Sequence, residues 1–185
     1  TPEGRRLWIA SELARLHALH AEALAEAGAD LLLLETFGTA REWRAAARAA
    51  GATGLPLVAC ATTREDGALL SGEPLEEAAR ALLSLPSPPA VLGVNCVPAR
   101  RLAASLALLA DAAPGLPLAA YGNTGLPFDE AAGLFAEPIA PEEYAKEALS
   151  WLALGARLVG GCCGTNASHV AVLGPLRAPG RPSGR

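Results

Sequence analysis

Two hydrophobic periods take turns along this chain. From Ile9 to Ala27 leucines recur at helical spacing, with Leu13, Leu16, Leu19 and Leu24 on one side, and Gly28 follows as a helix-ending glycine. Leu31 to Glu35 is then a short unbroken apolar run, the pattern of a strand buried on both faces of a parallel sheet. Thr39 caps a predicted helix over Ala40–Ala50, which Gly51 closes. Pro56–Ala61 reads as the second strand, followed by a polar loop and a helix from Pro74 to Leu85. Val91–Asn95 and Leu116–Tyr121 are the third and fourth strands, with a helix over Ala99–Ala112 between them. A long loop bearing Gly and Pro runs to Pro138. Pro141 opens a helix to Leu154, with Glu142 and Glu143 at its positive N-terminal end. Arg157–Gly161 is the fifth strand, and Asn166 caps a last helix reaching Leu176. The pattern predicts one domain over residues 1–178 and a frayed Pro/Gly/Ser/Arg tail over 179–185.

Strand and helix alternate at spacings suited to right-handed parallel crossovers, which serve both open doubly wound sheets and closed barrels. No Gly-x-Gly-x-x-Gly turn follows a strand, so a dinucleotide-binding fold has no support. The polar residues decide the matter. Glu35, Asn95–Cys96, Tyr121–Asn123 and Cys162–Cys163 each fall at the C-terminal end of a predicted strand. In a (β/α)8 TIM barrel those ends share one face, where such enzymes do chemistry. A barrel has eight units and typically about 250 residues. The chain is therefore expected to carry five strand–helix units of one.

The candidate chemistry centres on Gly160-Gly161-Cys162-Cys163-Gly164-Thr165. In a regular strand the two cysteine side chains point to opposite faces and cannot share a metal. The flanking glycines remove that objection by letting the backbone turn sharply. Cys96, in Gly93-Val94-Asn95-Cys96, offers a third thiolate at another strand end. Three cysteines and one open position are the layout of a catalytic zinc site. On the residues alone two other readings stay open: cysteine as a small buried hydrophobe, and the vicinal pair as a redox dithiol. An eight-membered vicinal disulfide ring is strained, which ranks the dithiol last. Cys60 ends the second strand without a partner motif and reads as packing, and His17 and His20 as surface or helix-packing residues.

Composition narrows the function classes. The chain has 185 residues, 51% hydrophobic and 18% charged, a globular composition with room for a real core. A net charge of −4 argues against nucleic acid as partner. No apolar run approaches the roughly 18 residues of a membrane span, and no signal-peptide pattern opens the sequence. Four cysteines, two of them adjacent, fit metal-bound thiolates in a reducing cytoplasm better than a disulfide framework.

Leu34-Glu35-Thr36-Phe37, Gly93-Val94-Asn95-Cys96 and the GGCCGT stretch, in that order between about His17 and Leu176, resemble the homocysteine S-methyltransferase family. The resemblance implies a (β/α)8 barrel of which this chain matches the last five units; the family's early glycine-rich strand has no counterpart here. It implies Zn2+ held by Cys96, Cys162 and Cys163, and a methyl group transferred to homocysteine to give methionine. Only a thiolate is a good sulfur nucleophile, and a metal-coordinated thiol is deprotonated outright. Glu35 would hold the substrate ammonium group, and Asn95 and Asn123 would line the pocket. Gly122 stands where the family usually has Pro, which is expected to loosen that loop. His169 matches a position often His in the family and reads as a structural helix residue. S-methylmethionine, betaine, S-adenosylmethionine and methyl-folate through cobalamin all serve as donors among relatives, and the region around Ser71-Gly72-Glu73 looks more like the free-standing members. The competing reading is a non-catalytic barrel remnant that keeps its zinc ligands. Open barrel edges also predict self-association.

Overall fold

The computed structural model describes residues 2–125, 128–129, 131, 134–135 and 138–176. The tail expected over 179–185 lies outside the described residues. The first unit is α1 (Pro2–Glu26), β1 (Leu32–Phe37) and α2 (Ala40–Gly51). Then come β2 (Leu57–Ala61), α3 (Leu75–Leu83), β3 (Val91–Pro98) and α4 (Ala99–Ala112). After β4 (Leu118–Asn123) the expected loop holds a small antiparallel pair, β5 (Phe128–Asp129) and β6 (Leu134–Phe135). The chain closes with α5 (Pro141–Ala153), β7 (Ala156–Gly161), the short α6 (Ala167–Ala171) and a 3-10 turn over Gly174–Leu176.

Five strands form one parallel sheet in the order β1-β2-β3-β4-β7. That strictly sequential order identifies the architecture. Right-handed crossovers to a neighbour on the same side always place the intervening helix on the same face. A doubly wound sheet must reverse its strand order to cover both faces; this sheet never reverses, and it is a section of a (β/α)8 barrel.

The pleat follows from this. Leu34, Ala59, Leu92 and Leu118 are register partners and point towards the helices, where Ala59 and Leu92 are wholly buried. One residue further along, Cys60, Gly93, Ala119 and Leu158 are partners on the opposite, barrel-interior face. The helices meet the outer face with residues spaced three and four apart: Trp43, Ala46, Ala47 and Ala50 from α2, and Tyr144, Ala148 and Trp151 from α5. Thr39 caps α2 as expected, its hydroxyl accepting from the Glu42 amide, and Pro141 opens α5.

Three expectations change. α1 turns Ala21 inward but leaves Leu16, Leu19 and Leu24 between 42% and 53% exposed, because it lies chiefly along α2. β3 runs past Asn95 to Pro98, with a register shift between those residues. The last predicted helix is broken after Ala171.

Candidate metal centre

Because all five strands of the sheet run parallel, their C-terminal ends lie along one rim. Glu35, Asn95–Cys96, Tyr121–Asn123 and Cys162–Cys163 all sit on it. Cys96 is brought inward by an unusual backbone. Its φ is +56°, in the left-handed region that costs a non-glycine residue about 1–2 kcal/mol. The register shift between Asn95 and Pro98 belongs to the same kink. The Asn123 side chain holds it in place: Nδ2 donates to the Cys96 carbonyl at 3.0 Å, and Oδ1 accepts from the Gly125 amide at 3.0 Å.

The second kink is on β1. Thr36, a β-branched residue, has φ +63°, and Asn95 clamps it from both ends of its amide. Asn95 Oδ1 accepts from the Thr36 amide at 2.9 Å, and Nδ2 donates to Thr36 Oγ1 at 2.7 Å. Two asparagines assigned to a pocket by resemblance thus spend their amides on holding strained strand ends. Asn95 is buried, and so is Asn123. Glu35, beside Thr36, is exposed and lies near enough to act on the protons of Cys60, Tyr121 and Cys162.

Cys162 and Cys163 leave β7 on a turn anchored to β4. The Cys162 amide donates to the Gly122 carbonyl, the Thr124 amide to the Cys163 carbonyl, and both the amide and hydroxyl of Thr165 to the Cys162 carbonyl. Gly161 is required here, since a side chain would collide with Thr165, and Gly164 takes a left-handed φ of +78°. Gly122 does the opposite of loosening. It is buried inside β4, and a Cβ there would stand 2.9 Å from Ala99 Cα. Beneath the turn, the Tyr144 hydroxyl lies 2.8 Å from both the Gly122 and the Gly160 carbonyls, and its ring meets Trp151 and His169 edge-on. Sequence reasoning overlooked Tyr144, although its spacing with Ala148 and Trp151 marked it as inward-facing.

The result is a cluster of three thiols. Cys96 Sγ is 3.5 Å from Cys163 Sγ, Cys162 Sγ is 3.8 Å from Cys163 Sγ, and all three sulfurs lie within 4.8 Å of one another. Sulfurs bound at about 2.3 Å around a tetrahedral ion stand about 3.8 Å apart, close to the two shorter spacings here, so the cluster suits a metal such as zinc. Their acidities fit as well. Cys162 is pulled down to about 6, chiefly by hydrogen bonding with Cys96, and Cys96 is pushed up by the same contact. One proton leaves readily, and a further negative charge needs a cation. Among the described residues no other His, Cys, Asp or Glu joins the group, so these residues fill three positions of a tetrahedral ion.

The remaining candidates separate cleanly. Cys60 is wholly buried on the interior face, its thiol pushed up to about 12 by that burial. It takes no part in the cluster. His169 is buried and structural: Nδ1 completes the Asn166 capping box and Nε2 reaches the Ile139 carbonyl at 2.9 Å. His17 stacks obliquely on Phe37.

Fold and site together define a group of three cysteines that could hold a metal ion, at the C-terminal rim of a section of β/α barrel. The Homocysteine S-methyltransferase family profile matches residues 8–175. The Escherichia coli K12 homocysteine S-methyltransferase is 35% identical over 163 residues, covering 85% of this chain and 51% of its own length. A Bacillus subtilis homocysteine S-methyltransferase is 30% identical, covering 86% and 50%. The crystal structure of the metallated E. coli homocysteine methyltransferase superposes with a TM-score of 0.75 at 30% identity, covering 91% of this chain and 52% of that one. The chain belongs to the homocysteine S-methyltransferase family. It spans about half the length of the curated relatives it matches.

Proposed function

We propose that this chain carries the metal-binding side of a zinc-dependent methyltransferase that converts homocysteine to methionine. The convergence of Cys96, Cys162 and Cys163 within 4.8 Å carries the reading. Bound zinc supplies a Lewis-acidic position that favours the ionised form of a substrate thiol. The chain's own residues prepare that position. Asn123 fixes the kink that presents Cys96, while Gly122, Tyr144 and Thr165 fix the turn that presents the cysteine pair. Asn95 holds the Thr36 kink, so that the adjacent Glu35 carboxylate is offered on the same rim to a substrate ammonium group. Asn95 and Asn123 then act as walls of the pocket more than as ligands of the substrate.

The partners in this reading are homocysteine and a small methyl donor, and the setting is the cytoplasm. Among the described residues no helix is long and apolar enough to cross a membrane. β1 and β7 are the outer strands of the sheet, and each pairs on one side only among the described residues. Unpaired edges of this kind favour self-association.

Metal analysis and methionine formation from homocysteine, measured across the candidate donors with the polypeptide that completes the barrel, test the proposal. About one zinc per chain and donor-dependent methionine are expected. Zinc uptake without methyl transfer from any donor would favour a non-catalytic remnant. Full zinc retention by Cys96→Ser after chelator challenge would remove the site.

A further inference from the structure

A second polar cleft lies on the same rim but outside the cysteine cluster. It has a volume of about 150 Å3 and is lined by Pro98, Ala99, Arg100, Arg101, Thr124 and Ile139, together with Gly125. Two independent features meet in it. One is the N-terminus of α4, a helix of 14 residues with no side-chain cap and no acidic residue in its first turn. Its first amides have no partners within the helix, and its dipole is positive here. The other is Thr124, which is 1% exposed and whose hydroxyl has no hydrogen-bond partner. The Thr124 backbone is fully engaged, its amide with the Cys163 carbonyl and its carbonyl with the Ile139 amide. The hydroxyl is the one polar group of this cleft-lining residue left without a partner.

Among the described residues the lining also carries two cations. Arg100 and Arg101 are both substantially exposed, and each pairs with a surface carboxylate, Arg100 with Glu143 at 2.6 Å and Arg101 with Glu65. Positive residues at a helix N-terminus oppose the dipole unless an anion lies between them. Helices α3 and α5 place glutamates in their first turns instead. An oxygen anion is the acceptor that suits the α4 amides and Thr124 beside two arginines that otherwise pair with surface carboxylates.

We propose that this cleft binds a small oxyanion, phosphate or a carboxylate, through the first-turn amides of α4, the Thr124 hydroxyl and the Arg101 guanidinium. The bound group bridges α4 to the end of β4, next to the residues that seat Cys163. The inference does not depend on zinc or on methyl transfer.

The test is a titration of the metal-free full chain with inorganic phosphate, followed by thermal shift and by phosphorus NMR line width, against chloride at equal ionic strength. Saturable phosphate binding is expected. Thr124→Val, which keeps shape and removes the donor, should weaken it about tenfold or more, the usual worth of a hydrogen bond to a charged group. Arg101→Gln, on an exposed side chain that does not threaten folding, should weaken it a few-fold, about what an exposed ion pair is worth. Glu65→Gln frees Arg101 and should strengthen binding. Methionine displacing phosphate would identify an amino-acid carboxylate as the occupant, and simultaneous binding would identify a free phosphate. A phosphate response no larger than that of chloride, or one that neither Thr124→Val nor Arg101→Gln alters, overturns the proposal. Because the readout needs neither metal nor activity, its failure leaves the methyltransferase reading standing, and the reverse holds too.

Discussion

The two faces of the sheet are built to different standards. On the helix side Leu57, Ala59, Leu92, Val94, Leu118 and Ala120 are 3% exposed or less and belong to a core that continues through every major helix of the five units. On the barrel-interior side the buried cluster among the described residues is Val58, Cys60 and Ala119, flanked by Val91 and Tyr121. At the ends of that face Leu33 and Leu158 are 45% and 46% exposed. The strands are the same and differ only in parity along the pleat. The outer face is finished by helices the chain supplies next in sequence, whereas an interior face is finished only by strands across the barrel. The cysteine cluster sits where the finished side meets the unfinished one. Its scaffold of Tyr144, Trp151 and His169 is buried on the helix side.

The contrast can be broken most forcefully from the outside. Leu92→Ala removes a wholly buried side chain and should cost about 2–5 kcal/mol of unfolding free energy by denaturant titration. Next in size is the metal site. Cys96→Ser should weaken zinc binding about a hundredfold or more in chelator competition, beyond the 10–100-fold typical of residues that only support ligands. Cys60→Ala, on the interior face but outside the cluster, should leave zinc affinity unchanged. Equal losses in these two variants would mean that the cluster is misassigned.

A smaller effect sharpens the link between the faces. Tyr144→Phe leaves the packing intact but removes the one hydroxyl donor that the Gly122 and Gly160 carbonyls share beneath the cysteine turn. Zinc affinity should fall about tenfold, the lower end of the supporting range, with less than about 1.5 kcal/mol lost in stability. Protons offer a finer check. The Cys162 thiol sits at about 6, below the ordinary thiol value, so it reaches the metal already ionised at pH 7.5. Zinc uptake there should release fewer than three protons. The count should rise by close to one as pH falls through 6, because Cys162 then arrives protonated and must give up its proton. Buffer-dependent calorimetric heats measure this directly, and a count that does not change between pH 7.5 and 5.5 would contradict the assigned acidity. The smallest expected effect is Leu158→Ala on the exposed interior face, within about 0.5 kcal/mol in this chain. Matching losses for Leu158 and Leu92 would erase the distinction between the faces.

Much of this was legible in sequence because local physics wrote it there. Apolar runs bounded by glycine and proline placed all five strands of the main sheet to within a few residues. Thr39, Pro141 and Asn166 marked helix starts through the backbone groups they satisfy or spare. The three cysteines announced themselves by their glycine surroundings and by standing at strand ends. The length of α1 was less legible, and so was the exposure of its leucines, since periodicity shows that a helix has an apolar side without showing what covers it.

Tertiary structure alone decided what the asparagines do. Asn95 and Asn123 looked like pocket residues, yet each is committed to backbone in or beside a left-handed kink, Asn95 to Thr36 across strands and Asn123 to Cys96. A left-handed φ at a threonine or cysteine runs against local preference, so no sequence pattern announces it; only contacts from distant strands stabilise it. Gly122 was misread for the same reason, because its lack of a side chain answers to Ala99 on the neighbouring unit. What the chain determines by itself are the elements and the donor atoms, since these depend on neighbours a few residues away. Where the donors point, and which polar groups are spent in holding them there, depends on contacts dozens of residues apart.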